Sequence, residues 1–220
     1  MQYYVVKYSG PFGFIKPWTA VRDGETFSQQ FLTPSIIEGM EKKLFPELLS
    51  VKSLHGHIIG HRINYTGISR QQEQTWSKAF VEKKGEPVFQ QRLVTKKGKE
   101  EYKEVKIQTY TRRPATGILT RGILIEPNLY LAFATREMAD RSATQHICLC
   151  RNEDILLPEE IYEATQEEWT SELFPGFELM FSNQEHPYFK VGYNRFANAA
   201  PMYGNVKSFG DPIRKKTDYI

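Results

Sequence analysis

A strongly amphipathic helix set between strand-like segments is the feature that most constrains how this 220-residue chain can fold. Thr33, Pro34 and Ser35 are residue types that favour a helix start. Ser35 and Glu38 have the spacing of a capping box. The apolar residues of the segment fall on one helical face, and they are Ile36, Ile37, Met40, Leu44 and Phe45. Pro46 ends the predicted helix.

Short runs of β-branched and aromatic residues, separated by turn residues, predict strands along much of the remaining chain. These runs cover residues 3–8, 88–94, 103–110, 118–125, 129–135, 147–150 and 177–181. Residues 95–100 (TKKGKE) predict a turn, so the two runs beside it are expected to form a basic β-hairpin. A strand, a helix and then further strands predict an α+β fold, in which an antiparallel sheet carries helices on one face.

Three segments lack a clear strand period. Residues 71–84 are polar and predict either a helix or a loop, whereas residues 158–169 predict an acidic helix. The tail, residues 189–220, is rich in Gly, Asn, Tyr and Pro and is predicted to be mostly irregular. Residues 1–150 are expected to form one domain, and residues 151–220 a C-terminal extension packed on that domain.

Charge is unevenly distributed along the chain. Residues 78–121 hold 12 lysines and arginines against 5 glutamates, whereas residues 151–187 hold one arginine against 10 acidic residues. A basic segment can follow a phosphate backbone, because each neutralised phosphate releases counterions and adds affinity. The acidic segment cannot do so, and it is expected to face solvent or a basic neighbour.

Composition and motifs exclude several classes of function. The N-terminal segment predicts a strand rather than a signal peptide, and no apolar stretch is long enough to span a membrane. The two cysteines, Cys148 and Cys150, give no disulfide framework, which favours a reducing, cytoplasmic location. The sequence has no phosphate-binding glycine loop, dinucleotide fingerprint or nucleophile elbow. No cofactor is therefore predicted.

A series of short segments in the first 154 residues forms a recognisable pattern. After the first strand come GPFGFIKPW at residues 10–18, ETF at residues 25–27 and LTPSIIEGM at residues 32–40. TRGILIEPNLY follows at residues 120–130 and LCRNED at residues 149–154. This series resembles the fifth CRISPR-associated (Cas) protein family of the RAMP superfamily, and its first part is the most specific.

The resemblance implies a ferredoxin-like domain, related to the RRM, with a protruding β-hairpin thumb at about residues 88–110. It also implies a subunit at one end of a type I Cascade complex, a ribonucleoprotein complex of antiviral defence, where the subunit holds the 5′ handle of the CRISPR RNA. The expected partners are this RNA, the backbone and large subunits of the complex, and target DNA once the complex is assembled. A membrane partner is not expected.

The candidate RNA-binding residues are cations and aromatic residues in the Pro-broken loop after the first strand and around the hairpin. Lysine and arginine pair with phosphate, arginine through two hydrogen bonds at once, and an aromatic ring can stack on an unpaired base. The candidates are Lys16, Trp18, Arg22, Lys96, Lys97, Lys99, Tyr110, Arg112, Arg113 and Arg121.

Three histidines leave other functions open. His55, His57 and His61 could ligate a metal or, acting as general acid or base, cleave RNA without one. No Asp or Glu lies within this cluster and no catalytic set can be placed on it, so neither a metal site nor a catalytic residue is predicted. Two alternatives remain: a metal-independent endoribonuclease that matures the CRISPR RNA, and a related RAMP subunit of a type III complex.

Overall fold

The computed structural model describes residues 1–17, 24–50, 56–96, 99–182, 189–194 and 198–215. Antiparallel β-sheet with few helices makes up most of these residues, which confirms the α+β class. The helices are α1 (Pro34–Leu44), α2 (Arg136–Ser142) and α3 (Gln166–Thr170), and Pro46–Ser50 is a short 3₁₀ helix. The strands are β1 (Gln2–Ser9), β2 (Phe12–Gly13), β3 (Glu25–Phe27), β4 (Ile58–Asn64), β5 (Gly67–Lys84), β6 (Val88–Lys96), β7 (Lys99–Ile107), β8 (Tyr110–Ile125), β9 (Asn128–Phe133), β10 (Ile147–Cys148), β11 (Ile155–Thr165), β12 (Gly176–Ser182), β13 (Phe189–Asn194) and β14 (Ala200–Phe209). None of the described helices is long and apolar enough to cross a membrane.

The chain divides into two compact units. Unit 1 consists of Met1–Gln71 and Thr120–Ile220, and unit 2 consists of Gln72–Leu119. The chain passes from unit 1 into unit 2 within β5 and returns within β8. These two strands pair with each other, and β8 also pairs with β2 and β3.

An eight-stranded sheet forms the centre of unit 1, in the order β10-β11-β1-β9-β4-β12-β14-β13. Within this sheet, the adjacent pairs β11–β1, β1–β9 and β9–β4 are all antiparallel. Along the chain, these four strands alternate with the two longer helices as β1-α1-β4-β9-α2-β11. The register sets Leu129 between Tyr8 on one side and Ile63 on the other, all three of them fully buried.

One face of this sheet packs against α1 and α2. Val6 and Tyr8 of β1, with Leu131 and Phe133 of β9, belong to the same apolar cluster as Ile37, Met40 and Leu44 of α1. The helix begins at Pro34, and its apolar face is the one that lies on the sheet. The expected capping box of Ser35 and Glu38 is not formed, because Thr33 is the N-cap residue and Glu38 pairs with Lys42. The buried hydroxyl of Tyr8 donates to the carbonyl of Ser142 at the end of α2, at 2.8 Å.

The opposite face of the sheet is also covered by the chain itself. The alternate strand residues Val5, Tyr130 and Ala132 pack against Trp169 and Phe174 in a second apolar cluster. Helix α3 brings Trp169 into place, and its start is fixed by a capping box between Thr165 and Glu168. Because both of its faces are buried, β9 is a nearly continuous apolar run.

A buried arginine closes the second cluster. The Arg62 guanidinium carbon lies 4.3 Å from the centroid of the Trp169 ring and 3.4 Å from that of Phe209. Its Nε is 3.1 Å from the carboxylate of Glu178, and its Nη1 donates to the carbonyl of Phe174 at 3.0 Å. An arginine without solvent exposure is tolerated here because a carboxylate and two aromatic faces surround it.

Three segments differ from their sequence predictions. Residues 158–169 are mainly strand β11, because pairing with β1 over most of its length overrides the helical preference of its glutamates, and only α3 is helical. Residues 71–84 form most of the long strand β5 rather than a helix or loop. The tail is not mostly irregular: β13 and β14 extend the sheet through β12.

Candidate nucleic-acid interface

Segments that lie far apart in the sequence meet next to β2. Phe12 and Gly13 pair with Ile125 and Leu124 of β8, so the GPFGF segment contacts the TRGILIEP segment. The LCRNED segment reaches the same place, because a Cβ on Gly13 would lie only 2.4 Å from Cδ1 of Leu149. The side chain of Leu149 therefore packs directly on the backbone of Gly13, and a larger residue there would force that side chain to move.

Two guanidinium groups lie over the ring of Phe14, which is buried. The guanidinium carbon of Arg121 is 5.5 Å from the ring centroid, and that of Arg151 is 5.6 Å away. Arg151 also chelates the fully buried Asp154: its Nε lies 3.0 Å and 3.2 Å from the two carboxylate oxygens, and its Nη2 lies 2.7 Å from Oδ1. We call Phe14, Arg121, Arg151 and Asp154 the Phe14 cluster.

Lys16 follows the Phe14 cluster and is exposed. The backbone before it is fixed by two hydrogen bonds: Ile15 N donates to Ser28 Oγ at 2.9 Å, and Gln29 N donates to the Ile15 carbonyl at 2.8 Å. These bonds fix the backbone before Lys16 to the segment that directly follows β3, and β3 pairs with β8. Of the other predicted contacts in this loop, Trp18 and Arg22 lie outside the described residues.

Beside the Phe14 cluster, β3 runs parallel to β8, with Phe27 opposite Gly122. The ring of Phe27 lies on this glycine, since a Cβ there would be 2.2 Å from Cδ1 of the ring, yet the residue is 45% exposed. Arg70 of β5 reaches the same place, with its Nε 3.0 Å from Glu25 Oε1 and its guanidinium carbon 5.7 Å from the Phe27 centroid. Sequence reasoning did not select Phe27, Arg70 or Arg151, although a glycine within a strand signals close approach.

Most of the other predicted contacts belong to unit 2. Strands β6 and β7 form the expected hairpin, in which Lys96 stands opposite Lys99 at the end next to the turn. Lys97 lies outside the described residues. The same register sets Arg92 opposite Lys103, and both are exposed. Like charges directly opposite each other destabilise a strand pair, so this arrangement does not serve the stability of the hairpin itself.

A hydrogen-bond network closes the base of the hairpin. Gly85 N donates to the carbonyl of Thr109 at 2.9 Å, and Thr109 Oγ1 donates to the carbonyl of Glu86 at 2.6 Å. Gln108 Nε2 donates to the Gly85 carbonyl at 2.6 Å. Tyr110 follows directly as the first residue of β8 and is 60% exposed. The predicted contacts Arg112 and Arg113 are the third and fourth residues of the same strand.

His57 and His61 lie beside the core of unit 1. Burial, together with the neighbouring Arg62 guanidinium, lowers the pKa of His61 to about 4. A general acid or base works best with a pKa near the working pH, so His61 is poorly suited to proton transfer at neutral pH. The ring of His57 packs on Phe45 with centroids 4.9 Å apart, and His55 lies outside the described residues. Within the described ranges, no group of three or more His, Cys, Asp or Glu side chains could hold a metal ion.

Two comparisons with known proteins found no relative of this chain. No protein-family model matches the chain, and no curated protein matches its sequence.

Proposed function

We propose that the chain is a non-catalytic RNA-binding subunit of a CRISPR surveillance complex, resembling the fifth Cas family. In this role it holds the 5′ handle of the CRISPR RNA beside the backbone and large subunits, in the cytoplasm. One observation carries the proposal: four of the five segments that bear the family resemblance, all except the one that starts α1, meet at Phe14 or along β8 beside it. Residues that share a function must be close in space, whereas a chance resemblance has no reason to converge.

The connectivity of unit 1 supports this assignment. A ferredoxin-like domain is built as β-α-β-β-α-β, and β1-α1-β4-β9-α2-β11 follows that plan in one antiparallel sheet. The same plan underlies the RRM, whose sheet carries aromatic residues that stack on bases. A fold of this kind hosts many functions, so the argument for RNA rests on the site rather than on the connectivity.

RNA recognition by this chain would not use the sheet face as an RRM does. Tyr3 of β1 and Tyr130 of β9 lie on the second face, where Trp169 stacks on Tyr3 with ring centroids 6.0 Å apart. Phe174 packs against Tyr130 in an edge-on contact at 5.6 Å. Because the chain occupies its own stacking face, we assign RNA contacts to Lys16 and the surroundings of the Phe14 cluster.

The hairpin β6–β7 supplies the second set of contacts and corresponds to the proposed thumb. Its cation pair Arg92 and Lys103, and the lysines at its tip, can each neutralise a phosphate without reading sequence. Tyr110 at its base offers an exposed ring to an unpaired base.

Binding of labelled CRISPR repeat RNA to the purified chain, measured across a salt series, tests the proposal. We expect the affinity for the repeat to fall linearly with salt on logarithmic axes, because phosphate contacts release counterions. A shuffled RNA of the same length is the matched control for recognition of the handle. Absence of binding to either RNA at low salt would overturn the proposal.

Incubation of the same RNA with the protein and EDTA separates a binding subunit from an endoribonuclease. We expect the RNA to stay intact, because the pKa of His61 is far below neutrality. Cleavage at one position would replace the binding role by the metal-independent nuclease.

A further inference from the structure

Phe27 is a large apolar side chain that the fold leaves open to solvent on the face of β8 that carries Gly122, opposite to the face that carries Arg121. Its neighbour in β3, Thr26, is buried, whereas Phe27 is 45% exposed. One face of the ring packs on the backbone of Gly122, where even a methyl group would collide with it. One side of the ring is thus held by unit 1 while a large part of its surface stays accessible.

The backbone under this ring is fixed on both sides. Thr120 N donates to the Gly24 carbonyl at 2.7 Å, and Ser28 N donates to the Gly122 carbonyl at 2.7 Å. The second bond leads directly to Ser28, whose hydroxyl holds Ile15 and thereby the backbone before Lys16. An exposed ring on a fixed backbone loses little conformational freedom when a ligand stacks on it.

A cation and a carboxylate flank the same ring. Arg70 is 69% exposed at its side chain and forms an ion pair with Glu25, while its guanidinium group lies near the Phe27 ring. A planar guanidinium donates to phosphate or to base edges and also stacks on bases. Next to an aromatic ring, it completes the combination with which proteins hold single-stranded nucleic acid.

A purely structural role for Phe27 would be to cover Gly122, since an aromatic residue often shields a cross-strand glycine. That role requires the ring face that lies on the glycine. It explains neither the exposure of the remainder nor the placement of Arg70 and Glu25 beside it. The two roles make different predictions, because shielding affects stability alone whereas stacking affects RNA affinity.

We propose that Phe27 is a stacking platform for one unpaired base of the bound RNA, with Arg70 beside it as the donor to the phosphate or edge of that nucleotide. This inference rests on the proposed function, because it requires that unit 1 bind single-stranded RNA. It adds a contact that contributes through stacking and is therefore insensitive to salt.

Three variants and two RNAs test the platform in the full-length chain. Phe27→Leu keeps apolar cover on Gly122 but removes the aromatic face, Phe27→Trp keeps the face, and Tyr193→Leu removes another exposed aromatic. Tyr193 is a matched control because it is 57% exposed and has Lys190 Nζ 5.0 Å from its ring centroid, on strand β13. The probes are a mixed-sequence eight-nucleotide RNA and the same backbone without bases.

We expect Phe27→Leu to weaken binding of the intact RNA about 5- to 150-fold, with an unchanged salt slope, because one base loses its stacking partner. The effect should vanish on the abasic RNA, and Tyr193→Leu should bind like wild type. Phe27→Trp should restore affinity, and its added indole fluorescence should be quenched by the intact RNA.

The outcomes separate the platform from the proposed function. The platform would be overturned if wild type binds RNA, Phe27→Leu binds with the same affinity, and RNA does not quench the fluorescence of Phe27→Trp. That result would leave the RNA-binding role standing. Failure of the wild-type chain to bind either RNA would overturn both. If Phe27→Leu lowers the melting temperature, Phe27→Trp still decides the question, through its quenching and its retained affinity.

Discussion

The eight-stranded sheet of unit 1 and the hairpin β6–β7 of unit 2 are built on opposite rules. The central strands β1 and β9 of the sheet are covered on both faces by side chains of their own chain, including Trp169 on one face and Leu44 on the other. The hairpin exposes large apolar side chains from both of its strands, among them Phe89, Leu93 and Tyr102. A two-stranded hairpin is only marginally stable in water. Its exposed side chains are therefore better explained by binding than by the stability of the hairpin.

The placement of charge differs in the same way. In the sheet, Lys7 Nζ lies 2.5 Å from Glu159 and Arg136 Nη1 lies 3.0 Å from Glu163. The Lys7 ammonium, with a hydrogen bond from Ser9, holds the pKa of Glu159 below its ordinary value. In the hairpin, by contrast, Arg92 stands opposite Lys103. The sheet residues Glu159 and Glu163 have cationic partners in unit 1, whereas the register of the hairpin sets two cations directly opposite each other.

The largest expected effect tests the buried side of this comparison. Arg62→Ala would leave the carboxylate of Glu178 buried without its partner and remove the group between Trp169 and Phe209. We expect the free energy of unfolding to fall by about 3–5 kcal/mol, measured by urea denaturation. Arg92→Ala in the hairpin is the matched control, with an expected change within about 0.5 kcal/mol. Equal effects of the two variants would contradict the contrast between the units.

The sequence predicted those parts of the fold in which local preference and tertiary pairing agree. Helix α1 was predictable because Ile37, Met40 and Leu44 follow the helical period and also pack on the sheet. The acidic strand β11 was not, because its glutamates favour a helix and only pairing with β1 makes it a strand. The hairpin itself was predictable from its turn residues, whereas Phe27 was not, since its place depends on Gly122 of another strand.

A smaller effect concerns how the core of unit 1 responds to acid. The folded state holds the pKa of His61 at about 4, against about 6.5 when unfolded. Below pH 6.5 the unfolded state therefore binds a proton on His61 that the folded state does not bind. Because this favours the unfolded state, the free energy of unfolding falls as the pH falls. We expect a loss of about 2 kcal/mol between pH 7 and pH 5.

The substitution His61→Gln should remove most of that pH dependence, because glutamine does not titrate. His146→Gln, the same substitution at an exposed histidine, serves as the control. Urea unfolding at a series of pH values measures both. The same pH dependence in wild type and His61→Gln would contradict the lowered pKa of His61.

The lysines at the hairpin tip should affect RNA binding but not the fold. Replacing Lys96, Lys97 and Lys99 by Ala should leave the free energy of unfolding within about 0.5 kcal/mol of wild type. The slope of log affinity against log salt on single-stranded RNA should fall by about two, because each lost phosphate contact removes about 0.7. An unchanged slope with an unchanged melting temperature would show that the tip does not contact RNA.

The last expected effect is the most specific, because its sign on stability is opposite to its sign on binding. Lys103→Glu would place an acid opposite Arg92 and turn a repulsive cross-strand pair into an attractive one. We expect the hairpin to gain about 0.2–1 kcal/mol, seen as slower hydrogen exchange of its amides. RNA affinity should fall at low salt, since one cation is lost and a like charge is added to the face that meets phosphate.

Lys106→Glu makes the same change in net charge on the same strand, but opposite Phe89, on the other face of the hairpin. If both variants weakened RNA binding equally, only net charge would matter, whereas a larger loss for Lys103→Glu would assign the RNA to the face that carries Arg92.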